Sequence, residues 1–208
     1  MIQAVNMLFF LTYKFSPMKL VLASSSPFRK ALLEKLQLDF ECDSPDIDET
    51  PSPVESIEDM VKRLSESKAR ALADSHPDSL IIGSDQSASL NGQVLHKPGN
   101  FETAFKQLKA ASGKAITFYT GLCLLNTQTQ HVETLCEPYV VKFRSLNDSE
   151  IENYLNREKP FNCAGSFKSE ALGISLFESM QGDDPNTLIG LPLIQLCRML
   201  KAQGMPVI

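Results

Sequence analysis

Strand-like apolar runs alternate with amphipathic helix patterns along this chain, and the junction between the first two elements constrains the fold most. Residues 18–23, MKLVLA, have strand character. They pass through Ser24, Ser25 and Ser26 into PFRKALLEKL, whose apolar positions recur at helical spacing to about Leu36. Ser26 suits a helix N-cap, and Pro27 suits the first turn, where a missing N–H costs nothing. The remaining hydroxyls and the unpaired amides of the helix start then face outward, where the helix dipole favours an anion. Arg29 and Lys30 add cations from the first turn, and arginine can grip a phosphate with two parallel hydrogen bonds. By composition this is a phosphate site; an ordinary capped helix with two solvated bases is the alternative.

After this helix, LDFECDSPDIDETPSPVES is too rich in proline for a helix and predicts a loop with a short strand. Ile57, Met60, Val61, Leu64, Ala71 and Leu72 then recur at helical spacing with charged residues between them, predicting a long amphipathic helix over about 55–74. SLIIGSD predicts a short buried strand ending at Asp85. SASLNGQVLHKPG predicts a hairpin turning at Asn91-Gly92. A helix stopped by Gly113 and two further strands follow, then a capping box at Asn147–Glu150 opening another helix. A glycine-punctuated stretch leads to DPNTLIGLPLIQLCRMLKAQG, a proline-started amphipathic helix that closes the chain. Helices mixed with both parallel-type and hairpin strands predict an α/β fold. Its form is a mixed, strongly bent β-sheet with flanking helices forming two lobes around a cleft.

With 208 residues and 43% apolar content, the chain suits one medium domain or two small lobes, and a formal charge of -5 disfavours DNA or RNA as partner. The five cysteines lie far apart without a CxxC pair, which reads as reduced thiols of a cytoplasmic protein. The three histidines do not cluster, so local spacing gives neither a zinc site nor a Ser-His-Asp triad. Residues 1–17 contain an apolar patch, MLFFL, too short for a membrane span and without the flanks of a signal peptide. They are expected to be a dispensable extension of the kind an upstream start codon produces, with a single domain over 18–208.

Acids concentrate in DSPDIDET, and Asp85 stands in IIGSDQ. Carboxylates on a loop and a strand suit Mg²⁺ or Mn²⁺, which keep several waters and substrate phosphates in their shell. Asp85 can alternatively serve as general base, and the loop acids can simply be solvated. Lys68 lies on the long helix, where lysines usually face solvent. Lys97 sits between His96 and Pro98, where the proline fixes the backbone and can aim the ammonium at a phosphate.

LASSSPFRKALLEKL, DIDETP, RLSESKA, IIGSDQ, HKP, TFYTGL, CAGSFKSEALG and NTLIGLPL follow one another as in the Maf-type nucleoside triphosphate pyrophosphatases, which the chain resembles from Met18 onward. The resemblance implies metal-dependent cleavage of a nucleoside triphosphate to the monophosphate and diphosphate, clearing modified nucleotides. It implies phosphate binding by Ser24, Ser26 and Arg29. Glu49 and Asp85 would hold a divalent metal or orient water, with Asp85 as proton acceptor. Lys68 and Lys97 would neutralise charge on the triphosphate. A homodimer is compatible with the resemblance and is not specified by periodicity.

Three positions depart from the pattern common in the family and match its YceF branch, which resembles enzymes acting on 7-methyl-GTP. Phe28 stands where many members have the first of two arginines, Gln86 where a threonine follows the aspartate, and Glu170 where a glutamine is usual. N7-methylation makes guanine cationic, which favours stacking on the Phe28 ring, while Glu170 can accept from the N1 and N2 hydrogens and Gln86 can add a polar contact. Phe28 packing against Leu32 on its own helix is the alternative, and tryptophan, frequent in that branch, would stack on a cation more strongly. His96 replaces a glycine usual before the KP pair, which bears on how Lys97 is aimed. Competing activities are a dTTP and UTP pyrophosphatase, a non-catalytic nucleotide-binding regulator of cell division, and an inosine-triphosphatase-like enzyme.

Overall fold

The computed structural model describes residues 18–52 and 54–208; the expected N-terminal extension lies outside them. A seven-stranded mixed sheet runs in the order β2-β1-β3-β5-β6-β7, with β4 paired to β3. β1 (Lys19–Ala23) and β2 (Glu41–Asp43) are parallel neighbours, and β1 is also parallel to β3 (Ser79–Leu90). β4 (Gln93–Leu95), β5 (Ala115–Asn126), β6 (Val132–Phe143) and β7 (Phe177–Gln181) all pair antiparallel. Asn91 and Gly92 both take positive φ, 52° and 82°, closing the expected hairpin between β3 and β4.

The helices are α1 (Pro27–Glu34), α2 (Ile57–Ala71), α3 (Phe101–Ala111), α4 (Asp148–Glu158), α5 (Pro185–Ile189) and α6 (Leu193–Ala202). Among the described residues, no helix is long and apolar enough to cross a membrane. The capping box before α4 forms as expected, Asn147 accepting from the Glu150 amide and Glu150 from the Asn147 amide.

Two expectations are corrected. The strand expected to end at Asp85 continues to Leu90, because β5 pairs with it without interruption from Leu80 to Leu90. Asp85 is therefore a mid-strand residue. The single closing helix is two, because Gly190 takes φ +124° and Pro192 cannot donate to a helical ladder, so α5 stops and α6 starts afresh.

The long strands carry two cores. Leu80 and Ile82 of β3 with Leu122 and Leu124 of β5 pack against α1 and α6. Further along, Ala88, Ile116, Phe118, Val141 and Phe143 pack against α3 and α4, with Phe167 and Phe177 edge-on to Phe143. A third cluster on the opposite sheet face joins Val21, Ile81 and Cys123 to α2. Each fully buried Leu or Phe contributes about 1.5–3 kcal/mol relative to exposure. The two larger cores form the two expected lobes.

The cleft arises from strand pairing. On one edge of β3, β1 pairs with residues 79–82 and β4 with 88–90, and among the described residues no strand pairs the stretch between. Asp85 lies in that gap.

Candidate active site

α2 crosses the sheet unusually close to this gap, because Gly83 and Gly121 lack side chains there. A Cβ on Gly83 would stand 2.0 Å from the Ser65 carbonyl oxygen, and one on Gly121 would stand 2.2 Å from that of Val61. Gly121 is the cross-strand partner of Asp85. Ser65 makes the contact between helix and strand specific: its Oγ accepts from the Asp85 amide at 2.9 Å and donates to the Val61 carbonyl at 2.6 Å.

The close approach brings Lys68 of α2 to the sheet. Its Nζ lies 2.6 Å from Asp85 Oδ1 and 2.8 Å from Glu49 Oε1. The Lys68 and Asp85 side chains are 12% and 14% exposed, so this helical lysine is not a solvated one, whereas Glu49 at 59% reaches in from an open loop. The hydrogen bond from Lys68 is the main force holding the Glu49 carboxyl below its ordinary value, with Lys97 and Arg29 adding to it. That loop is itself anchored. Arg63 donates to both Glu55 carboxylate oxygens and to the Thr50 carbonyl, and its bonds to the carboxylate, with one from the Ser52 amide, push the Glu55 pKa down to about 2.

The strand-to-helix junction behaves as its sequence suggests. Ser26 caps α1, its Oγ accepting from the Arg29 amide at 3.4 Å, and Ser24 Oγ accepts from the Ser26 amide at 3.1 Å. A hydroxyl oxygen that accepts still has its hydrogen to donate, so both serines keep an O–H for an anion. Arg29 Nε donates to the Gly190 carbonyl at 2.9 Å, which fixes the guanidinium plane and leaves its other N–H groups available. Burial lowers the Arg29 pKa and the charges of Asp85 and Glu49 oppose that, but an arginine remains charged regardless.

Lys97 is exposed on the loop after β4, where Pro98 is buried. The loop is pinned on both sides of the lysine: Gln107 Nε2 donates to the His96 carbonyl and the Gly99 amide donates to the Phe161 carbonyl, each at 2.9 Å. The His96 substitution therefore sits in a held loop.

All the sequence-selected residues, Ser24, Ser26, Phe28, Arg29, Glu49, Lys68, Asp85, Gln86, Lys97 and Glu170, line one cleft of about 1140 Å³. Phe28 is 39% exposed on that wall, while Leu32 one turn later is in the core. Glu170 is exposed on the opposite lobe, beside Ser169. Gln86 is partly committed elsewhere: its Nε2 donates to Thr120 Oγ1 and to the Thr187 and Leu188 carbonyls at 2.9, 2.9 and 3.1 Å.

Sequence reasoning passed over Asp184, Thr187, Thr120, Glu137 and Gln107. Asp184 is fully buried, and its carboxylate accepts from the Asn186 and Ile194 amides, tying the starts of α5 and α6 together. An aspartate before Pro185 is a helix-start signal that could have marked it. Thr120 and Thr187 lie within TFYTGL and NTLIGLPL, whereas Glu137 and Gln107 act through tertiary contacts without a local motif.

Among the described residues, no group of three or more His, Cys, Asp or Glu side chains converges in the manner of a self-contained metal centre. Glu49 and Asp85 supply oxygen donors alone, a set that fits a hard divalent cation completed by water and substrate phosphates.

The sequence profile described as Maf-like protein matches residues 19–203. The chain belongs to this family. A Maf-like relative from Alcanivorax borkumensis, the 7-methyl-GTP pyrophosphatase, is 58% identical over 185 residues, covering 89% of this chain and 94% of that protein. The 7-methyl-GTP pyrophosphatase of Nitrosococcus oceani is 54% identical over 193 residues, covering 93% and 97%. A bulkier residue at Gly121 would not fit this Maf-like site, since α2 leaves no room above the strand.

Proposed function

We propose that this Maf-like chain hydrolyses 7-methyl-GTP to 7-methyl-GMP and diphosphate. The observation that carries the proposal is the similarity to two proteins of that name, with Phe28, Gln86 and Glu170 lining the same cleft as the Lys68, Asp85 and Glu49 cluster.

The triphosphate lies toward the α1 start, its oxygens taking hydrogen bonds from Ser24, Ser26 and the free N–H groups of Arg29. Water attacks phosphorus so that the bond between the α and β phosphates breaks and diphosphate leaves. Asp85 takes the proton from that water. Lys68, Lys97 and Arg29 offset the negative charge that builds on the leaving diphosphate, and Lys68 and Arg29 do so without reorganising, because hydrogen bonds already hold them. Glu49 and Asp85 are the groups that would meet a Mg²⁺ or Mn²⁺ ion, which supplies further neutralisation of the phosphates when bound. The methylated base, cationic at N7, stacks on Phe28 and presents its N1 and N2 hydrogens to Glu170.

The cytoplasm, where nucleotides are used and thiols stay reduced, is the proposed location, in keeping with the free cysteines among the described residues. A homodimer is the proposed assembly by family resemblance, and light scattering on the purified protein tests it.

The decisive experiment is turnover of 7-methyl-GTP, GTP, dTTP, UTP, CTP and ITP with Mg²⁺ or Mn²⁺, separating diphosphate from phosphate as product. Diphosphate released chiefly from 7-methyl-GTP is the expected result. A preference for dTTP and UTP would overturn the specificity, and absence of turnover with every nucleotide would favour a binding regulator.

A further inference from the structure

One row of polar side chains crosses the apolar face of the sheet between the two lobes. Gln86 of β3 stands directly opposite Thr120 of β5, which stands directly opposite Glu137 of β6. On the same face, Ile82 and Leu122 belong to one core and Ala88 and Phe118 to the other, so this row replaces what would otherwise be continuous apolar packing. Thr120 is fully buried and Glu137 is 8% exposed. Polar groups so placed are costly unless satisfied.

The turn at the end of α5 satisfies them. Thr187, itself fully buried, donates from Oγ1 to Glu137 Oε1 at 2.8 Å, and its carbonyl accepts from Thr120 Oγ1 at 2.9 Å. The Thr187 and Leu188 carbonyls take the Gln86 amide nitrogen. At the other end of the turn, the Gly190 carbonyl takes Arg29 Nε and Ser84 Oγ, each at 2.9 Å. One short backbone segment thus holds a side chain on the base side of the cleft and another on the phosphate side.

We infer that Thr187 and Glu137 are positioning residues: they seat the 187–190 turn on the polar row, and the turn sets both the orientation of Gln86 and the placement of Arg29. This rests on the reading that the cleft takes a nucleotide with its base near Gln86 and its phosphates near Arg29. The consequence for specificity is a fixed polarity. Carbonyl oxygens can only accept, so the Gln86 nitrogen must face the turn and its Oε1 the other way. Among the described residues Oε1 has no protein partner, and it is not sealed from solvent. Gln86 therefore presents only an acceptor to the cleft. Beside the Glu170 carboxylate, that selects a base edge carrying adjacent N–H donors, as guanine has at N1 and N2, over an edge that mixes donors and acceptors.

The test compares Thr187→Val, Thr187→Ser and the double variant Glu137→Met/Thr187→Val with the unmodified protein. Each is measured for kcat and KM on the nucleotide panel and for thermal melting. The double variant removes both ends of the buried hydrogen bond, so it keeps the fold even where Thr187→Val alone strands a buried carboxylate. The quantity read is the ratio of kcat/KM between the nucleotide the unmodified protein favours, whichever that is, and the next best. If the unmodified protein turns over none, the ratio of dissociation constants replaces it. The substrate assignment is thus decided by the unmodified protein alone, and the positioning inference by the variants. The expected result is a ratio reduced about tenfold in Thr187→Val and in the double variant, with raised KM, and retained within about twofold in Thr187→Ser. A uniform loss on all nucleotides with the ratio intact, or a Thr187→Ser protein as unselective as Thr187→Val, would overturn the inference.

Discussion

Lys68 and Asp85 meet at 2.6 Å although they belong to different elements, and the contact exists because two glycines let α2 descend onto the sheet beside the aspartate. The pair is largely shielded from water, so Asp85 is held in one place by Lys68 and by the Ser65 hydroxyl that receives its amide. Replacing Asp85 with Asn keeps the shape and removes the proton acceptor. Turnover is expected to fall about 10²–10⁴-fold in steady-state diphosphate release, the range for loss of a general base. Thermal melting should change little, because Lys68 retains Glu49. Full turnover by the Asp85→Asn variant would remove Asp85 from the chemistry.

Removing the ammonium should move the acid limb of the pH profile. The Lys68 hydrogen bond is the largest influence lowering the Glu49 pKa, so in Lys68→Met that pKa rises toward its ordinary value. A carboxylate with a raised pKa is protonated at higher pH. Residual activity of Lys68→Met is therefore expected to decline at higher pH than that of the unmodified protein, as measured by kcat/KM between pH 4 and 9. An acid limb left where it was would show that the Lys68 to Glu49 contact does not govern ionisation.

The glycines that admit α2 should be intolerant of a single methyl. In Gly121→Ala the new carbon would meet the Val61 carbonyl and the Ser65 hydroxyl, at 2.2 and 2.5 Å, and backbone must shift to relieve it. Overpacking of this kind costs about 1–3 kcal/mol, a fall in Tm of roughly 2–12 °C for a domain of this size. Calorimetry checks the stability, and a parallel loss of turnover is expected because Asp85 is the residue directly across the ladder. An unchanged Tm would mean that the helix sits further from the strand than 2.2 Å allows.

The sequence carried the local devices well. The Ser26 cap, Pro27, the Asn91-Gly92 hairpin and the Asn147–Glu150 box all act within a few residues, and each formed as its chemistry demands. The cleft residues were legible through ordered motifs, and the structure places them around one cleft. What failed was position along β3: Asp85 looked like a strand terminus because the apolar run stops there, but pairing with β5 extends the strand across the lobe boundary. The break at Gly190 had a visible signal, a glycine and a proline two residues apart, but the apolar residues on both sides of it read as one amphipathic helix. The polar row of Gln86, Thr120 and Glu137 could not be seen in one dimension, because its members are neighbours only through strand register.

Phe28 offers the sharpest test of base recognition. It is 39% exposed on the cleft wall instead of packed in the core with Leu32, so its removal should cost little stability. Stacking of a cation on an exposed aromatic ring contributes about 0.5–1 kcal/mol, which corresponds to roughly 2–5-fold in affinity. Phe28→Ala is therefore expected to raise KM for 7-methyl-GTP by about that factor while affecting GTP, which lacks the N7 charge, less. Phe28→Trp should shift KM the other way, since indole is the stronger partner for a cation. Both variants report on the same contact with opposite signs, so a general disturbance of the α1 start cannot imitate the pair of results. Equal effects of Phe28→Ala on the methylated and unmethylated nucleotides would assign the ring to shape rather than charge recognition, and would leave Glu170 as the residue reading the base.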